Sequence, residues 1–77
     1  MSMLTEMFIL ERYGMRLGVE QLAEVLGYTR STLYNMMAKG ECPVPTYLDG
    51  GKRYADFRDV ARHIDECRAR AKQEAIT

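Results

Sequence analysis

Two short apolar-striped segments on a three-residue connection constrain this chain more than anything else in it. The first is "VEQLAEVL", residues 19–26, with Val19, Leu22, Ala23 and Leu26 on one side and Glu20 and Glu24 on the other. That spacing predicts a short amphipathic helix. The second runs from about Arg30 to Lys39, has Leu33, Met36 and Met37 as its apolar back, and stops at Gly40. Gly27 suits a backbone that must turn sharply, and Thr29 offers a hydroxyl to cap the second helix. Helices joined this closely bury their stripes by crossing at a steep angle. Ala23 permits close approach, and Leu22, Leu26, Leu33 and Met36 are expected to fill the wedge.

In that packing the start of the second helix turns to solvent. It carries Thr29, Arg30, Ser31, Thr32, Tyr34 and Asn35. Hydroxyls, a guanidinium, a phenol and an amide suit the base edges of double-stranded DNA. Arg grips guanine at two atoms, Asn does the same for adenine, and Ser or Thr serves either. Tyr34 suits a thymine methyl or a phosphate, and the free amides of a helix start can hold phosphate.

The flanking segments complete one domain over residues 1–77, with the helix pair at 19–39, a hairpin "wing" at 42–55 and a C-terminal helix at 56–73. Residues 3–13, "MLTEMFILERY", fit a helix through Met3, Leu4, Met7, Phe8, Leu10 and Tyr13, with Gly14 as a left-handed stop. A strand through "MFIL" is the alternative. Pro43 and Pro45 exclude a helix after Gly40. "TYL" and "RY" flank a "DGGK" turn as two short strands. Asp56 caps the last helix, whose apolar positions are Phe57, Val60, Ala61, Ile64, Cys67 and Ala71; the tail "EAIT" is expected to fray. The core is expected from Leu22, Ala23, Leu26, Leu33, Met36, Met37, Val60 and Ile64. The fold class is mainly α with a small β-hairpin, a winged helix-turn-helix. Lys52 and Arg53 at the wing tip can reach backbone phosphate or a neighbouring minor groove.

A chain of 77 residues has little room for a deep cavity beside its core, which argues against an enzyme. Net charge is zero, yet residues 28–58 carry five basic side chains (Arg30, Lys39, Lys52, Arg53, Arg58) against three acidic ones. A modest positive middle suits a phosphate-contacting face. Cys42 and Cys67 lack a secretory context and read as reduced cytosolic thiols. His63 and Cys67 share a helix face, but without a close cysteine pair they read as a half-buried histidine and a core cysteine, so neither a metal nor a cofactor is expected. "MFIL" is too short for a membrane span.

The pieces "LAEVLG", "YTRSTLYNMMAKG", "CPVP", "GGKRY" and "FRDVARHI", in this order across residues 17–64, resemble the small winged helix-turn-helix proteins of the excisionase and AlpA-like type, relatives of the MerR regulators' DNA-binding part. "TEMFILERYG" and "VARHIDECRARA" are similar to the two ends of the phage-related pyocin-activator family. The resemblance implies a recognition helix that places Arg30, Ser31, Thr32, Tyr34 and Asn35 in the major groove. It implies wing contacts from Lys52 and Arg53, and phosphate contacts from Thr29 and Lys39. The implied role is a phage or mobile-element transcriptional regulator in a bacterial cytoplasm, at the nucleoid. It would bind double-stranded DNA as a homodimer or as cooperative copies. Alternatives are an excisionase-type directionality factor that bends DNA, or a protein-interaction module that docks a polymerase or recombinase.

Overall fold

The computed structural model describes residues 2–76. Seven elements follow in order: α1 (Met3–Tyr13), β1 (Arg16–Gly18), α2 (Val19–Leu26), α3 (Arg30–Ala38), β2 (Tyr47–Asp49), β3 (Lys52–Asp56) and α4 (Phe57–Ile76). The strands form one antiparallel sheet in the order β1-β3-β2. The result is a winged helix-turn-helix.

α2 and α3 end in the same way. Gly27 has φ 80° and ψ 23°, the left-handed conformation that a side chain strains. The Gly27 N–H donates to the Glu24 carbonyl at 3.3 Å and the Tyr28 N–H to the Ala23 carbonyl at 2.9 Å. Orphan carbonyls of the last turn are thereby satisfied while the chain reverses. At the end of α3 the Glu41 N–H donates to the Met36 carbonyl at 2.8 Å. The wing tip turns through Gly50 and Gly51, with φ 61° and 80°. Positive φ at both central positions matches the twist of the flanking strands.

β1 is an element that the sequence pattern did not reveal. It pairs Leu17 with Ala55 on β3, and both side chains are fully buried. The core comprises these two with Ile9, Leu22, Ala23, Leu33, Val44, Val60 and Ala61. Leu26, Met37 and Ile64, expected inside, are only partly buried against it, and Met36 is half-buried outside that cluster. Val44 sits between two prolines, at a bend in the chain. It plugs the core at 2% exposure.

α1 is a helix, as the preferred reading had it, but Met3, Leu4, Met7 and Phe8 are exposed and Ile9 is its buried residue. It lies antiparallel on α4. The Ser2 N–H and the Thr5 hydroxyl donate to the Asp65 carboxylate at 2.7 and 2.9 Å, which holds that carboxyl below the usual range. At the other end the Phe57 N–H reaches the Met15 carbonyl at 3.1 Å. Gly14 has φ 95° with ψ −165°, an extended glycine conformation rather than the left-handed helical one expected.

Asp56 starts α4 as predicted. Its Oδ1 accepts the Arg58 N–H at 2.8 Å, and both oxygens take the Arg58 guanidinium at 2.9 Å. That fork lowers the Asp56 carboxyl from its ordinary value. α4 continues to Ile76, beyond the point where fraying was expected.

Asp56→Ala removes the cap and is expected to cost about 1 kcal/mol at neutral pH. Asp56 has its pKa depressed in the fold, so its contribution is complete above the usual carboxylate range and is lost as pH falls through the lowered folded value. Urea unfolding at a series of pH values should show the gap between wild type and variant closing in acid.

Candidate nucleic-acid interface

The start of α3 is presented outward because its inner side is held by one fully buried residue, Leu33, at 0% exposure. At 100° per residue, the direction opposite Leu33 belongs to Ser31, Asn35 and Ala38. Arg30 and Tyr34 lie on one flank and Thr32 on the other. All six residues of the tip, Thr29, Arg30, Ser31, Thr32, Tyr34 and Asn35, are exposed.

They are not equally available. The Thr29 side chain accepts the Thr32 N–H at 3.1 Å and donates to the Thr32 hydroxyl at 2.8 Å. This is the N-cap that the sequence placed at Thr29. Arg30 forms an ion pair with Glu20 at the start of α2. Both partners are exposed, so the pair contributes little. It still sets a carboxylate beside the one cation of the tip. The sequence pattern marks Glu20 only as the polar side of α2, because nothing local links residues ten apart on two helices.

Tyr34 faces the wing. A concavity of about 580 Å³ is bounded by residues 18–21 at the start of α2, by Tyr34, and by residues 51–54 of the wing. The Gly18 N–H is taken by Gln21 Oε1 at 3.1 Å. Lys52 and Arg53 both border the concavity. Strand alternation sends their side chains to opposite faces. Arg53 Nη1 donates to Thr46 at 3.3 Å, while Lys52 stands at the hairpin turn. Lys39 is the C-cap of α3, at the far end of the helix from Thr29. The structure therefore gathers Tyr34, Lys52 and Arg53 about the concavity, pairs Arg30 with Glu20 at its border, leaves Ser31 and Asn35 on the outer face, and sets Lys39 apart.

The outer face of the sheet supports the wing. Arg16 reaches from β1 across the Tyr54 ring, at 3.7 Å, to Asp49 on β2 at 2.6 Å. Tyr47 packs beside Tyr54 with ring centroids 6.2 Å apart. Elsewhere, Cys67 is exposed, not core, with its sulfur 3.5 Å from His63 Nε2; Cys42 is the cysteine packed against the core. Among the described residues, no group of three His, Cys, Asp or Glu side chains is placed to hold a metal. Among them, no helix is long and apolar enough to cross a membrane.

A family model described as a helix-turn-helix domain matches residues 16–68 of the chain. The match begins at β1 and ends within α4, so it takes in the tip, the concavity and the wing. Neither a curated protein nor a solved structure matches.

Because the Thr29 hydroxyl is engaged in capping, Thr29→Ala should lower folding stability by about 1 kcal/mol. Ser31→Ala, on an open face, should stay within about 0.5 kcal/mol of wild type. Thermal unfolding followed by circular dichroism distinguishes the two.

Proposed function

This chain belongs to the helix-turn-helix domain family, and from that premise we propose that it is a sequence-specific binder of double-stranded DNA, a transcriptional regulator of phage or mobile-element type that performs no catalysis. The observation that carries the reading is the outward tip of α3, with base-reading side chains on a helix whose opposite side is sealed by Leu33. Asn35 and Ser31 reach base edges directly. Arg30 reaches guanine after leaving Glu20. The magnitudes allow that exchange: an exposed pair is worth about 0.2–1 kcal/mol, whereas a bidentate base contact gives about 1–3 kcal/mol of discrimination. Tyr34 and the wing cations border a space into which a phosphate backbone fits, with Lys52 the freer of the two cations. Lys39 serves as a separate phosphate contact at the far end of α3. Zero net charge makes non-specific attraction weak, so more of the affinity falls to the base contacts.

Four substitutions test this by fluorescence anisotropy on operator and scrambled duplexes. Arg30→Ala and Asn35→Ala should each lose about 1–3 kcal/mol on the operator and blur base preference. Lys52→Ala should weaken all sequences alike and reduce the salt slope by about one unit. Glu20→Gln releases Arg30 and removes a charge that opposes phosphate, so it should tighten operator binding by about two- to five-fold at low salt, an advantage that fades as salt rises. Intact specific binding in both Arg30→Ala and Asn35→Ala would refute the groove assignment. Bound sites upstream of a gene cluster support regulation. Sites confined to an attachment junction would instead mark a recombination factor.

A further inference from the structure

The two faces of the wing differ. On one, Arg16, Tyr54, Asp49 and Tyr47 hold one another. On the other, β3 buries Ala55 against Leu17, both at 0% exposure. Arg53 stands two residues before Ala55 on the same strand and takes the same face. Leu48 of β2 lies directly opposite Arg53 in the register, so its side chain joins that face as well. The bond from Arg53 to Thr46, two residues before Leu48, agrees with this. Leu33 of α3 belongs to the core on which this face closes, so α3 lies on the Leu48 side of the sheet. The core ends before Leu48, which is 63% exposed.

A single exposed leucine is ordinary on a protein surface. The setting of this one is not. Its strand is an edge strand of three residues, all exposed, where a charged side chain is the safer choice. It has the Arg53 guanidinium across the ladder and Lys52 at the adjoining turn. An apolar side chain between cations on a narrow hairpin matches one target chemistry: the phosphates on either side of a minor groove, with stacked bases at its floor. The cations draw the hairpin in, and the leucine gains by leaving water between two base pairs. A side chain used in that way has to be held stiffly. β3, paired with β1 on one edge and β2 on the other, holds it.

We propose that Leu48 is a wedge that enters the minor groove beside the bases read by α3, parts one base step and kinks the duplex, with Lys52 and Arg53 on the flanking phosphates. Pyrimidine–purine steps part most readily, so Leu48 adds a preference at a position where no side chain reads a base edge. This role rests on the DNA-binding reading and is the same for a regulator and for a recombination factor.

The probe is the duplex that the full chain selects from a randomised pool, with a fluorophore at each end so that energy transfer reports the bend. Bound to the wild-type chain it should bend by roughly 20–90°. Leu48→Ala, at an exposed position, should leave the circular dichroism spectrum unchanged, remove at least half of that bend and weaken binding about tenfold. Leu48→Met keeps an apolar side chain of similar volume and should keep the bend. Replacing the pyrimidine–purine step by a stiff A-tract should weaken the wild type and leave Leu48→Ala nearly unaffected. An unbent complex, a bend that survives Leu48→Ala, or equal losses in both proteins on the A-tract would overturn the wedge while the DNA-binding reading stands. A chain that selects no duplex and binds none would defeat the DNA-binding reading itself, and the wedge with it.

Discussion

The arrangement of this molecule depends on the pairing of Leu17 with Ala55 at the centre of the sheet. A two-stranded hairpin is marginal in water, whereas a third strand with a buried face makes it a fixed part of the domain. β1 supplies that strand from the segment between α1 and α2. The wing is therefore bonded to the chain that opens α2, and residues 18–21 and 51–54 stand on either side of one concavity. On the other face of the same sheet, Arg16 spans all three strands through Tyr54 and Asp49. Inside and outside, β1 orients the wing relative to α3.

Most of the helical plan was legible from the residues. The Gly27 turn, the Thr29 cap, the Asp56 cap and the hairpin through Gly50 and Gly51 are local chemistry, in which a few neighbouring residues decide the backbone. β1 was not legible because three residues, "RLG", are too few for alternation to register. Its existence depends on β3, about 38 positions away in the chain. The core was half legible for a related reason. Periodicity marks a stripe, but tertiary packing decides which of the apolar residues of α1 are covered. That is why Ile9 is buried and Phe8 is not. Ala55 and Val44 become core residues through the sheet and the proline bracket, which no helical period announces.

The candidate site divides along the same line. Exposure of the α3 tip followed from the apolar back of that helix, and Leu33 bears it out. The pairings made by the tip did not follow. Glu20 reaches Arg30 only because the packing of α2 against α3 brings the two side chains together. Thr29 and Thr32 hold each other because the cap geometry brings their hydroxyls within 2.8 Å. Residue type proposes what a side chain can touch, and the fold decides what it touches first.

Asp56 is the last residue of β3 and the cap of α4, with no connecting residue between them. The wing consequently has no hinge at its base. A force that tilts the hairpin is delivered to the axis of a twenty-residue rod, and through Asp65 to α1 lying along it. Whatever presses on the wing is therefore passed from β3 to α4 and on to α1, without a loop between strand and helix to absorb the movement.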